Sequence, residues 1–335
     1  MQKAKSQLFF ENSENNPIFC FILLYSARGK EYTDTAVIYY IFILLAVTAF
    51  TLQFVLTKLF SAAAREGGVT AFCMLIAVGL AGAAAALIAS GGRVHLSGAS
   101  LWLALLFALV MIPYHTLSVK ALSLGDLSTY SVFMMLGGML LPFLYGILLL
   151  DEAATVGKIL GCVLLSVGIV WQGYIQGRGK GKAARGGLYL TLCLIIFIVN
   201  GLTGVISQAH ALNPAAADEV SFILLSSVGT AIFAAVGLLV LLLCGGRTAR
   251  GECKVFFTSR AVFLALLLGV MMNVGNFLIL LAAPHVGASI QFPLISGGTI
   301  LFSAVAAYLF FRERPAKGEI WPLLVTLLST VLFAF

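Results

Sequence analysis

The chain has 335 residues, of which 61% are hydrophobic and only 10% are charged. A soluble domain carries about 25% charged residues, so most of this surface cannot face water, and the composition excludes an ordinary soluble domain. The formal net charge is +7, but no basic stripe with interleaved aromatic residues lies outside the apolar segments, which excludes a nucleic-acid-binding surface.

The first 35 residues form a polar tail. They include the run SENN at 13–16, and the apolar run at 18–25 is too short to span a bilayer. A signal peptide has a longer apolar core and a small-residue cleavage site. We interpret residues 1–35 as a disordered or surface tail, or as the product of a start codon assigned too far upstream.

Ten apolar segments of about 20 residues follow, the length that crosses a bilayer as an α-helix. Runs such as 188–199 do not alternate as barrel strands would, which leaves helices as the spanning structure. The sequence therefore predicts an all-α integral membrane protein with ten transmembrane helices. Predicted helices 1 to 10 cover 36–60, 69–89, 100–121, 128–150, 155–175, 187–209, 220–244, 261–283, 288–311 and 319–335.

Self-comparison predicts that these helices form two similar halves. A shift of 160 residues aligns LGGMLL at 136–141 with SGGTIL at 296–301. A short connector precedes each run, and an apolar stretch ending in Glu152 or Glu313 follows it. The predicted halves are 36–175 and 187–335, joined by a basic, glycine-rich linker at 176–186. Because each half has five helices, the second half enters the membrane from the opposite side, which makes the two halves inverted repeats.

Parts of both halves resemble a known repeat. The run VKALSLGDLS at 119–128, continuing to LDE at 150–152 and to Gly161, resembles the EamA-type repeat of the drug/metabolite transporter superfamily. Residues 284–313 resemble its second copy, so the resemblance covers nearly the whole chain after residue 36. It implies a ten-helix permease that moves small metabolites by alternating access, with both termini in the cytoplasm.

Lysine and arginine residues concentrate on one side of the predicted membrane protein. The odd-numbered loops and adjacent helix ends hold fourteen of them, whereas the even-numbered loops hold only Arg93 and Lys158. The positive-inside rule then places the odd-numbered loops in the cytoplasm and both termini outside, opposite to what the resemblance implies. We adopt the charge rule as the working prediction. In either orientation we expect a multi-pass protein of the cell membrane, taken to be a bacterial plasma membrane.

Ionisable groups at mid-depth in a membrane are costly and mark functional sites, but no carboxylate occupies such a position in the predicted helices. The small multidrug exporters, distant relatives of the family resembled, use a buried glutamate to exchange protons for cationic drugs. We therefore do not expect antiport by that route. Glu152 and Glu313, which end helices 4 and 9, are interpreted as interfacial caps or loop ion pairs.

Uncharged polar residues supply the candidate site. His115 is the one histidine well inside a predicted span, next to Pro113 and Tyr114. Because Pro113 removes a backbone hydrogen bond, Tyr114 and His115 either satisfy the freed polar groups or contact a substrate. Asn273 and Asn276 share a face of helix 8 and either hold helices together or line a wet cavity.

Further polar residues at helical spacing extend this pattern in helices 1, 6 and 9. Together they predict a neutral, hydrogen-bonding cavity walled by helices 1, 3, 4, 6, 8 and 9, with helices 5 and 10 at the periphery. The candidate substrate-binding residues are Gln53, Tyr114, His115, Tyr130, Asn200, Thr203, Asn273, Asn276, Phe292, Ser296 and Thr299.

The sequence carries no nucleophile elbow, no zinc-protease motif and no phosphate-binding loop, and its six cysteines have no disulfide or zinc spacing. We expect no enzyme activity, catalytic residue, metal or cofactor. The first hypothesis is a permease for a small metabolite such as an amino acid, sugar or nucleoside. Its partners would be that substrate and membrane lipid, and both a coupling ion or proton and a monomeric or homodimeric state stay open. The alternatives are an exporter of amphipathic compounds or a lipid-linked sugar flippase on the same fold, and a membrane enzyme or non-transporting scaffold.

Overall fold

A computed structural model describes residues 32–63, 68–149, 155–177, 183–245, 260–282, 288–313 and 320–332, with the short stretches 251, 253, 256–257, 285–286 and 318. These residues form ten α-helices and contain no β-strand. The helices are α1 Tyr32–Ala63, α2 Gly68–Ala89, α3 Gly98–Leu124, α4 Leu127–Leu149, α5 Val156–Gly177, α6 Ala183–Leu212, α7 Glu219–Cys244, α8 Arg260–Ala282, α9 Ala288–Phe311 and α10 Ile320–Leu332.

Each predicted helix corresponds to one of these ten, with ends that agree to within four residues. The described part of α1 begins at Tyr32, so residues 32–35, which were predicted to belong to the tail, are helical. Residues 1–31, 150–154 (with Glu152) and 178–182 of the predicted linker lie outside the described residues.

Eight of the described helices, α1 to α4 and α6 to α9, are long and apolar enough to cross a membrane. The apolar parts of α5 and α10 are shorter, at Val156–Gly168 and Ile320–Leu332. Large apolar side chains such as Leu80, Leu148 and Phe263 are exposed on the outer faces of these helices. Since such surfaces are stable only against lipid, the chain is a multi-pass membrane protein.

Most of the packing joins a helix before residue 178 to one after residue 182. Helix α1 packs against α8 and α9, α2 against α7 and α8, α3 against α6 and α7, and α4 against α6 and α9. Helix α5 packs mainly against α10. The core therefore lies between the two sets of helices rather than inside either set.

Small residues allow the closest of these contacts. A Cβ atom added to Gly137 of α4 would lie 2.1 Å from the Phe197 carbonyl oxygen of α6. One added to Gly201 of α6 would lie 2.6 Å from the Leu141 Cβ atom of α4. Helix association in lipid relies on such close backbone approach, so these glycines set the distance between α4 and α6.

The loops that connect the helices define two ends of the bundle. The odd end carries the odd-numbered loops and contains the C-termini of α1, α3 and α9. The even end carries the even-numbered loops and contains the connectors α2–α3 and α6–α7. At the even end, the Ser97 side chain caps α3 by accepting from the Ser100 N–H. Asp218 caps α7 by accepting from the Ser221 N–H at 2.8 Å. Such caps satisfy donors that a helix start leaves unpaired.

Candidate functional site

Four buried polar side chains meet where α1, α3 and α4 pack together. We call Gln53, Tyr114, Ser118 and Tyr130 the tyrosine cluster; each is at most 7% exposed. The Tyr114 hydroxyl lies near the Gln53 side chain, and the Tyr130 hydroxyl lies near that of Ser118. The cluster thus brings together neutral groups from three helices, each able to donate and accept hydrogen bonds.

Aromatic and sulfur contacts hold the cluster in place. The Phe54 ring meets the Tyr130 ring edge-on, with centroids 5.5 Å apart. The Tyr130 hydroxyl also donates to the Met134 sulfur at 3.0 Å, and Cys193 of α6 belongs to the same buried group. Because a thioether is a weak acceptor, the Tyr130 hydroxyl is available for a stronger partner.

His115 lies beside this cluster and is 2% exposed. Its ring meets the Tyr114 ring edge-on at 4.7 Å. Among the described residues its Nε2 atom has no hydrogen-bonding partner. A buried polar atom left in this state is costly, so its presence favours a functional interpretation over simple packing.

Asn200 lies at the contact between α6 and α4, and Thr203 follows it by about one turn of α6. The Asn200 side-chain amide donates to the Met134 carbonyl at 2.6 Å. The Thr203 hydroxyl donates to the Asn200 carbonyl at 2.6 Å. Both side chains therefore have local partners that join or stiffen helices, as polar groups commonly do in membrane proteins.

Asn273 lies in a different contact from the tyrosine cluster. It is 6% exposed and donates to the Gly269 carbonyl of its own helix at 2.7 Å. Its side-chain oxygen lies 3.1 Å from the position of a Cβ atom on Gly82, which also faces Ser227. Asn273 thus packs between α8, α2 and α7, while Asn276 is only partly buried.

The predicted residues of α9 are placed as follows. Ser296 and Thr299 are buried, at 7% and 0% exposure, and the Thr299 hydroxyl has no partner among the described residues. The Phe292 side chain lies outside what the structure describes. The structure therefore brings Gln53, Tyr114, His115 and Tyr130 together around α1 and α3, whereas Asn200, Thr203 and Asn273 serve separate helix contacts.

Sequence reasoning missed a set of polar contacts at the odd end. We call these contacts of Glu313 with Lys58 and with the Leu127 N–H the latch. Lys58 of α1 forms an ion pair with Glu313, which follows α9. Lys58 also donates to the Gly125 carbonyl at 2.9 Å, and the Leu127 N–H donates to the second Glu313 oxygen at 3.0 Å. The sequence predicts Glu313 to be an interfacial cap or a loop ion pair, but it does not identify Lys58 as the partner, because the two are 255 residues apart. Ser118 was missed as well, since one serine in an apolar helix gives no signal.

A second polar network lies at the even end. The His95 ring contacts the Asp218 carboxylate at 3.0 Å through Nδ1. The backbone N–H of His95 donates to the Ser221 hydroxyl at 2.9 Å. Burial raises the pKa of Asp218, but hydrogen bonds from Ser221 and His95 outweigh it. The pKa of Asp218 consequently lies below its ordinary value, and the carboxylate stays charged at neutral pH.

No protein family matches the chain, and no curated protein does either. Among solved structures, one chain described only as "Crystal structure of protein" is 14% identical, with a TM-score of 0.49. The match covers 89% of this chain and 96% of the other. A likeness at this level supports no inference about fold or function.

Proposed function

We propose that this protein transports a small neutral or zwitterionic metabolite across the membrane by alternating access. The observation that carries the proposal is the buried tyrosine cluster with His115 beside it, whose Nε2 atom has no hydrogen-bonding partner in the part of the chain that the structure describes. Polar groups inside a membrane protein are expensive and concentrate along substrate paths. Their neutral character matches a substrate recognised by hydrogen bonds, such as an amino acid, sugar or nucleoside.

The packing pattern supports two inverted five-helix repeats. If helix n of the first half corresponds to helix n+5 of the second, the α1–α8 contact corresponds to α6–α3, and α1–α9 to α6–α4. The α2–α8 contact likewise corresponds to α7–α3, and α2–α7, α4–α9 and α5–α10 correspond to themselves. All of these contacts occur. A pseudo-two-fold axis of this kind lets two halves exchange conformations, as the resemblance to EamA-type permeases implies.

In this mechanism the substrate binds between α1, α3 and α4. His115 Nε2 gains a hydrogen-bonding partner in the substrate, and the two tyrosine hydroxyls turn from their present neighbours to donate to it. The halves then rock about the core that joins them, which exposes the substrate to one side at a time.

The test is transport by purified full-length protein in proteoliposomes. A panel of labelled amino acids, sugars and nucleosides is offered in both directions, with and without a pH gradient. We expect at least one substrate to move, and the pH gradient tests for a coupled proton. If no compound moves while the protein stays folded, the metabolite-transporter proposal is overturned.

Residue roles are then tested by removing single polar groups. Tyr114→Phe and His115→Ala should lower transport without lowering membrane abundance, because each removes a predicted substrate contact. Thr326→Val is the matched control, since that buried hydroxyl on α10 bonds only its own helix backbone. Unchanged transport in both test variants would remove these residues from the site.

A further inference from the structure

The latch ties together parts of the chain that are far apart in sequence. Lys58 and Glu313 are separated by 255 residues and belong to different predicted halves. The single Glu313 carboxylate holds both the Lys58 ammonium and the N–H of Leu127, the first residue of α4. The positive end of the α4 dipole adds to this attraction. Glu313 therefore holds the end of α9 against both α1 and α4.

The end of α9 is shaped to present Glu313 inward. Arg312 has a φ of 54°, a left-handed conformation that non-glycine side chains rarely adopt. The next residue, Glu313, donates its N–H to the Ala307 carbonyl at 3.1 Å. The Arg312 N–H also donates to the Tyr308 carbonyl at 3.1 Å, which is the bond of a common helix C-cap with a left-handed residue, and this turn leaves the Glu313 carboxylate beside Lys58.

The latch covers the tyrosine cluster. Gln53 lies five residues before Lys58, or about 7.5 Å deeper along α1. Tyr130 lies one turn beyond Leu127 in α4. Cys193 of α6 is fully buried beneath the same end, one turn below Tyr189, whose hydroxyl donates to the Asp126 carbonyl at 2.6 Å.

The pair is also placed so that it can separate. The Lys58 and Glu313 side chains are 14% and 24% exposed, so water reaches both groups when they part. If the pair were fully buried, its separation would leave two charged groups with neither water nor a partner, which is costly. Asp126, the other acid at this connector, accepts from the Thr129 N–H at 3.0 Å within α4 and so remains with that helix.

We propose that the latch is the gate of the odd end. With Glu313 bound to Lys58 and Leu127, the end is shut over the tyrosine cluster. When Glu313 leaves, α9 separates from α1 and α4 and opens a path to the cluster. The inference rests on the proposed function, because a gate requires a path to close.

The native cysteines report on this gate without any engineered label. Purified full-length protein is treated with N-ethylmaleimide, and labelling of each cysteine is followed by peptide mass spectrometry. In Lys58→Met and Glu313→Gln we expect Cys193 to react about tenfold faster or more, because a charge-assisted contact that keeps the end shut is lost. Cys73, buried between α2 and its neighbours, should react at its original rate, while exposed Cys244 sets the upper limit.

A matched control breaks the contact at the opposite end. Asp218→Asn removes the even-end charge and should leave the Cys193 rate within about twofold. If Glu313→Gln does not fold, Glu313→Asp, which keeps the charge but shortens its reach, should give a smaller rise. Unchanged Cys193 labelling, or an equal rise at Cys73 from general loosening, overturns the gate.

Labelling needs no substrate, so it fails separately from the proposed function. If no compound is transported, the proposed function fails and the gate fails with it, and a selective rise at Cys193 then shows only that the latch shields this end of the bundle. Transport with no change at Cys193 sinks the gate alone.

Discussion

Replacement of Gly137 by alanine should strongly destabilise the contact between α4 and α6. The new methyl group would lie 2.1 Å from the Phe197 carbonyl oxygen and 2.8 Å from the Phe197 Cα atom. Both atoms belong to the backbone, so no side-chain rotation relieves the clash and the helices must move apart by about 1 Å. Overpacking of this kind costs about 1–3 kcal/mol or more, which corresponds to a loss of roughly 5 °C in the melting temperature.

The assay is thermal unfolding of the detergent-solubilised protein, followed by loss of the monodisperse peak. Gly187→Ala is the control, because a Cβ atom there has no neighbour within 4 Å and alanine favours the helix. A Gly137→Ala melting temperature equal to that of Gly187→Ala would refute the clash argument.

Three further outcomes are expected. Replacement of Asn200 by leucine removes the bond to the Met134 carbonyl and should cost about 0.6–1.5 kcal/mol in unfolding experiments; no change would show that this bond is dispensable. The pKa of Asp218 is lower in the folded protein than in the unfolded chain. The carboxylate therefore stabilises the fold above a pH of about 4, and this stabilisation is lost as the pH falls through the pKa of the folded state. Melting curves of Asp218→Asn should lack this acid-dependent loss. Burial lowers the pKa of His285, which stacks on Tyr39 at 3.9 Å. Its contribution should be full above pH of about 6.5 and weaken below it, and His285→Phe should abolish that dependence in the same pH series.

The helices could be predicted from the sequence because each is a long apolar run bounded by polar residues or glycine. The helical spacing put Asn273 and Asn276 on one face that should avoid lipid; Asn273 is buried and Asn276 is partly buried. It could not show which neighbour that face meets, because α2 and α8 are close only in the folded chain. The same limit applies to Asn200, whose partner Met134 is 66 residues away.

Lys58 illustrates the limit more sharply. In the sequence it is one of many basic residues at the ends of odd-numbered loops, and Glu313 is one of two similar acids. Only the packing of α1 against α9 brings the two charges together. The distribution of charged residues along a chain indicates which loops lie on each side of a membrane. It does not indicate which two charged residues form an ion pair.

The packing of early helices against late ones has a consequence for biosynthesis. Helix α1 has its main partners in α8 and α9, so it leaves the ribosome long before they exist. At about 5–20 residues per second, Lys58 is made about 13–50 s before Glu313. During that interval its charge needs a temporary partner, such as a lipid headgroup, the insertion machinery or water at the membrane surface. Assembly of this protein should therefore be post-insertional, with the first helices held unpaired in the bilayer until the last ones arrive.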